Sequence, residues 1–153
     1  MVVVVGSNIY TQTWDLLYGV ISGNVSDPAI LRPAKTTRFI LGAFPDVEGT
    51  NLPTFPIIVI ENPEKSMTHS TFSPNLGLDN NEVSVSTFVY SKSPRELNIL
   101  SEDLADAVES NVLGLISSGF SMNGLETGVQ GTDIVGNQRI HFREQIIRGT
   151  VVS

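Results

Sequence analysis

Residues 83–115 constrain the fold most, because a β-strand there runs into a helix whose start is specified three times over. The stretch reads VSVSTFVYS, then Lys92, then Ser93-Pro94-Arg95-Glu96, then LNILSEDLADAVESNVLGL. Ser93 is a good N-cap, since its hydroxyl can accept from a first-turn N–H that has no helical partner. Pro94 falls at the first helical position, where its missing N–H costs nothing and its fixed φ suits a helix. Glu96 follows Ser93 by three residues, completing a capping box and setting negative charge at the positive end of the helix dipole. Beyond the cap, Leu97, Leu100, Leu104, Ala107, Val108, Val112 and Leu115 recur at helical spacing, which predicts one core-facing stripe. Glu102, Asp106 and Glu109 project from the opposite side, so the outer face is acidic.

The same periodic reasoning orders the rest of the chain. Tyr10, Trp14, Leu17 and Ile21, widened by Leu16 and Val20, predict a first helix over residues 9–22, capped by Ser7 or Asn8 and stopped by Gly23-Asn24. Residues 24–37 hold Asp27-Pro28 and Arg32-Pro33 and read as loop. Residues 38–44 are short and β-leaning. TFPIIVIE (54–61) is a stronger strand whose unbroken apolar run Ile57–Ile60 predicts burial on both faces, with Pro53 and Pro56 placing its start at an edge or bulge. Residues 62–81 form a long polar connection, or an extended hairpin if 67–72 form a strand.

Residues 82–91 predict a strand with Val83, Val85 and Val89 on one face and Phe88 and Tyr90 on the other. After the capped helix, residues 117–136 contain five glycines and predict strands around 120–122 and 127–129. Gly124, Gly128 and Gly131 read as turn chemistry. Residues 138–147 and 150–152 are β-leaning, with Ile140 and Phe142 to one side and His141 on the solvated or inter-subunit side. The order α, β, β, β, α, β, β predicts a single α+β domain over 1–153. Its mostly antiparallel sheet has about four to six strands, with two main helices packed on one face. The apolar MVVVVG lacks a preceding basic residue and reads as a strand or interface arm (1–8), not as a signal peptide.

Composition narrows function mainly by exclusion. There is no Cys, so disulfides and thiolate chemistry are absent. No stretch approaches the roughly 18 apolar residues of a membrane span. The net charge of −7 argues against a nucleic-acid binder that neutralises phosphates. Charged residues are 16%, against roughly 25% in a typical soluble domain. Burial against other subunits produces such a surface, and so does compositional drift.

Charge is also segregated along the chain. Seven acids and no Lys or Arg lie between Glu96 and Asp133, whereas the final strand carries Arg139, Arg143 and Arg148 against Glu144 alone. One acidic and one basic face suit head-to-tail packing that closes into a ring; solvated charges without partners are the other reading.

No catalytic, cofactor-binding or metal-ligating set is expected. The two histidines, His69 and His141, lack further ligands at metal-site spacing. No nucleophile elbow, S-x-x-K, Walker A or G-x-G-x-x-G sequence occurs. Glu102, Asp103 and Asp106 read as a solvated helix face, since paired catalytic acids need a desolvated cleft.

In pattern and length the chain resembles the tail terminator or tail-completion proteins of long-tailed phages and related tailed viruses. The features that carry the resemblance are the N-terminal amphipathic helix (9–22), FPIIVI (55–60) and the long loop. They continue with VSVSTFVYSKSPRELNILSEDLADAV (83–108) and the closing RIHFREQIIRGTVV (139–152). The resemblance covers residues 9–152 and rests on no diagnostic motif. It implies a ring-forming structural subunit, a homohexamer, located in the virion tail or neck and in host cytoplasm during assembly. Such a ring caps the tail tube, stops its polymerisation and meets the head-tail connector, while DNA passes an acidic or neutral lumen without specific binding. It implies no enzyme activity, no cofactor and no membrane partner. Arg139, Arg143 or Arg148 of one subunit would then meet Glu102, Asp106 or Glu109 of the next. A head-completion or stopper protein and a non-viral binding module are the alternatives.

Overall fold

Four consecutive apolar β-formers, Ile57–Ile60, can be accommodated only where a strand is covered on both sides, and every one of them is buried. In the computed structural model, which describes residues 8–29, 38–45, 53–69 and 79–152, this strand (β2) lies inside a mostly antiparallel sheet. The elements run α1 (Ile9–Asn24), β1 (Ile40–Leu41), β2 (Ile57–Ile60), β3 (Glu64–His69) and β4 (Asp79–Ser91). They continue with α2 (Pro94–Ser110), α3 (Val112–Ser117), β5 (Ser121–Val135) and β6 (Gln138–Val152). Strand order is β1-β2-β4-β6-β5, with β3 also on β4. Among the described strands, only β1 and β2 are parallel. This is the expected α+β class, with two main helices and one short one.

Side-chain alternation along β4 divides the core in two. Val83, Val85 and Val89 face the helices, joining Ile58 and Ile60 of β2, Ile147 and Val151 of β6, and Leu17, Ile21, Leu100, Leu104 and Leu115. Phe88 and Tyr90 face the other way, into a smaller cluster of Phe55, Ile57, Val59 and Ile140 flanked by Phe44. Each fully buried Leu or Ile contributes roughly 1.5–3 kcal/mol relative to exposure, so the helix-covered cluster dominates stability. Pro56, joined to Phe55 by a cis peptide bond, sits just before β2. The long connection is in part the extended hairpin: β3 begins at Glu64, earlier than expected, and pairs antiparallel with β4 from Glu64↔Ser84 to His69↔Asp79. Residues 70–78 lie outside the described residues, as do the arm's residues 1–7 and most of the loop 24–37.

Several expectations are corrected. The buried stripe of α1 is Ile9, Thr13, Leu17 and Ile21, not Tyr10 and Trp14. Tyr10 is exposed, and Trp14 sits at the helix margin, its indole N–H donating to the Ile60 carbonyl at 2.8 Å. Thr13 is fully buried on this stripe. Gly23 and Asn24 extend the helix instead of stopping it; extended backbone at Val25 ends it, and Asn24 Nδ2 donates back to the Val20 carbonyl at 2.7 Å.

The capped helix does not run on to Leu115 either. At Asn111 the side-chain amide donates to the Ala107 carbonyl (2.7 Å) and the backbone N–H to Val108 (3.2 Å), so α2 stops and α3 begins at Val112. Val112 is half-buried and Leu115 lies in the core. Gly119, at φ 94°, then ends α3: Phe120 N–H donates to Leu115 and Gly119 N–H to Ile116, with Phe120 packed in the same core as Leu115.

The two short strands expected in 117–136 are one 15-residue strand, and 138–152 is one unbroken strand. Gly136-Asn137 joins them in a two-residue turn with positive φ only at Gly136, as in a type II′ hairpin. Gly124, Gly128 and Gly131 are strand residues, not turns. Gly128 belongs to one of two register irregularities in β5, between Thr127 and Gln130; the other lies between Met122 and Gly124.

Candidate functional site

The helix cap that opens α2 also fixes where its acidic face points. Ser93 accepts from Glu96 N–H at 3.4 Å, as the capping-box sequence requires. The reciprocal half is relayed: Ser93 N–H donates to Ser91 Oγ (3.1 Å), and Ser91 Oγ donates to Glu96 Oε1 (2.7 Å). Ser91, the last residue of β4, is fully buried, so the strand end and the helix start are one hydrogen-bonded unit. Gln145 Nε2 of β6 donates to the Ser101 carbonyl at 3.1 Å and ties the middle of α2 to the sheet. With its apolar stripe so held, α2 turns Glu102, Asp106 and Glu109 to solvent, all three exposed.

The three arginines do not form one basic face. Paired positions on β5 and β6 show that Arg139 and Arg143 point to the helix side of the sheet and Arg148 to the other. Arg143 is engaged within its own chain, donating to Asn98 Oδ1 of α2 (2.9 Å) and to Gln130 Oε1 (3.1 Å). Arg148 pairs with Glu126 at 2.6 Å, both half-exposed. Arg139 is exposed beside the hairpin turn, beyond the last residue of β4. His141 is half-buried on the helix side opposite Ser91, not on an open face.

The feature that sequence reasoning missed is the outer side of β5. Among the described residues no strand pairs with it, leaving a 15-residue edge on which Val129 is 61% and Ile134 71% exposed. At the Gly128–Val129 irregularity, Glu144 Oε1 accepts from Val129 N–H at 3.0 Å, so a buttressing carboxylate holds the bulge. A two-residue turn sequence, Gly136-Asn137, was the available signal that one long hairpin spans this region.

On the other sheet face, Tyr90 is held in its neutral form. Burial, reinforced by the carboxylates of Glu61, Asp133 and Glu144, pushes its phenol up to about 12. An open groove of about 290 Å³ lies toward the other end of β4, lined by Glu64, Lys65, Glu82, Ser84, Asn123 and Arg148. Its charges alternate in sign and are solvated. Among the described residues no three His, Cys, Asp or Glu side chains are grouped to hold a metal, and no helix is long and apolar enough to cross a membrane. The described surface presents a strand edge with no paired neighbour among the described residues, two exposed aliphatic side chains on that strand and an acidic helix face. No protein-family model matches the sequence, and no curated protein matches it either.

Proposed function

We propose that this chain is a structural virion subunit that assembles head to tail into a ring, capping the tail tube, ending its polymerisation and joining it to the head connector. The observation that carries this reading is the edge of β5. A long strand edge is a template for another chain, and monomers blunt theirs with Lys, Pro, β-bulges, inward-pointing charges or a covering segment. β5 contains neither Lys nor Pro and exposes Val129 and Ile134, while its two register irregularities divide the edge into shorter regular stretches. The opposite side of the sheet is different in kind, formed by two-residue β1 and six-residue β3.

A two-fold contact of β5 with β5 would bring Asp133 of both copies to one seam, Glu126 being paired with Arg148 in its own chain, and like charges across a seam are destabilising. A contact between unlike sides avoids this, and repeated it closes into a ring. The exposed Glu102, Asp106 and Glu109 keep the helix face negative, compatible with a conduit that does not hold DNA. Arg139 is the arginine best placed to meet them from a neighbour, since Arg143 and Arg148 already have partners in their own chain. The six-fold count comes from the resemblance alone.

Electron microscopy of particles lacking this protein tests the reading. Overlong tail polymers are the expected outcome. Normal tails beside unfilled or leaking heads would overturn it in favour of a head-completion protein.

A further inference from the structure

Resting on that head-to-tail reading, we propose that Val129, in the bulged part of β5, seats on an aromatic margin of the neighbouring copy formed by Tyr10, Trp14 and Pro63. Tyr10, Trp14 and Tyr18 recur at four-residue spacing and make a second stripe on α1 beside the buried one. Tyr10 and Tyr18 are exposed. Trp14 covers the sheet margin where β1 ends. Its indole N–H donates to the Ile60 carbonyl at 2.8 Å, and a methyl group on Gly42, the residue after β1, would touch its ring. Tyr18 stacks on it with ring centroids 5.2 Å apart, so the indole is held in place. On the other side of Trp14 an open cleft is lined by Tyr10, Thr11, Asp15, Asn62 and Pro63. Aromatic rings with one end apolar and the other wet are enriched at protein interfaces.

Register across the sheet points to a second copy as the occupant. A rotation leaves height along its axis unchanged, so two patches that meet in a ring must be level within each copy. Ile60, which Trp14 caps, is level with Thr127 of β5 through Thr87 and Gln145. Val59 is level with Glu144 through Phe88, and Glu144 accepts from Val129 N–H. Trp14 and Val129 therefore stand at one height on opposite margins when the strands run along the ring axis. Within one copy at least three strand spacings, about 14 Å, separate them, so a contact between them joins two copies. The chemistry of the two patches agrees. Residues 127–132 (TGVQGT) carry no charge, so Asp15 in the cleft meets no acid from them. Because Glu144 already takes the Val129 N–H, this part of the edge offers an exposed side chain and not a main-chain donor.

Photo-cross-linking of the full chain tests the contact. The photoreactive residue p-benzoylphenylalanine replaces Val129 in one preparation and Leu113, exposed on α3, in a control. Illumination should give at least tenfold more covalent dimer from position 129, with the adduct mapped by peptide mass spectrometry to residues 10–18 or to Asn62-Pro63. Val129→Lys and Tyr10→Glu both change exposed positions, and Lys65 lies beside the new carboxylate in the second. Each should lower native mass from ring to monomer while the circular dichroism spectrum is retained. A ring-sized wild-type mass with adducts mapped elsewhere, or a ring that survives both substitutions, overturns this contact and leaves the ring standing. A monomeric wild-type mass at all concentrations overturns both.

Discussion

The relayed cap between β4 and α2 makes a prediction that sequence reasoning alone would reverse. By motif, Ser93 is the residue that matters, and replacing an N-cap serine with alanine costs about 1 kcal/mol. Its bond to Glu96 N–H is long, at 3.4 Å, and exposed, so Ser93→Ala belongs at the low end, about 0.5 kcal/mol. Ser91 is fully buried and serves two partners, the Ser93 N–H and the Glu96 carboxylate at 2.7 Å. A hydrogen bond to a charged group contributes about 1.5–3 kcal/mol. Half-buried Glu96 recovers part of that from water, so Ser91→Ala should cost about 2 kcal/mol. Urea unfolding at fixed protein concentration measures both. With a slope of about 2 kcal/mol/M, the midpoint should fall by about 1 M for Ser91→Ala and by about 0.25 M for Ser93→Ala. Combining Ser91→Ala with Glu96→Gln should cost less than the sum of the single changes, because the two share one bond. Equal midpoints for the two serine variants, or strict additivity in the double variant, would refute the relay.

Two further perturbations probe the sheet. A methyl group at Gly149 would overlap the ring of fully buried Phe120, so Gly149→Ala should destabilise by about 1–3 kcal/mol in the same assay; a cost under about 0.5 kcal/mol would mean the ring can move aside. Tyr90 should ionise near pH 12 in an absorbance titration, and Tyr90→Phe should remove that step. Because its folded value lies above its ordinary value near 10, its contribution to stability is fully present below pH 10 and is lost as pH rises from 10 to 12; Tyr90→Phe should remove that part of the alkaline loss.

What the sequence made legible was set by periodicity and local chemistry. The alternation in β4, the double burial of Ile57–Ile60 and the cap at Ser93-Pro94-Arg95-Glu96 each arise from a few adjacent residues, and each appears in the structure as read. The rotation of α1 is not legible from apolar spacing, because that spacing counts large aromatic residues as core. Trp14 instead lies where one end can be apolar while its N–H reaches Ile60, and Thr13 takes a fully buried position on the stripe beside Leu17 and Ile21. The stop at Asn111 was hidden because the apolar spacing continues through it, although a side-chain amide competing for Ala107 ends the helix. In β5, five of fifteen positions are Gly, Ser or Asn and two irregularities shift the register, so no alternation survives to be counted.

The candidate surface was the least legible part, and alternation is the reason. Three arginines close in sequence look like one basic patch, but a strand sends odd and even positions to opposite faces. Arg143 and Arg148 then find Asn98, Gln130 and Glu126 within their own chain. Exposed ion pairs contribute only about 0–1 kcal/mol, so a ring held by arginine–carboxylate contacts alone would be weak even with all three arginines free. In the proposed ring, main-chain pairing along β5 would have no such dependence on side-chain charge. The acidic face of α2 would then be left to set which copies approach and in what orientation, a role in which charge is effective because repulsion excludes wrong encounters. On that reading the physical division of labour is a strand edge for affinity and a capped, acidic helix for direction.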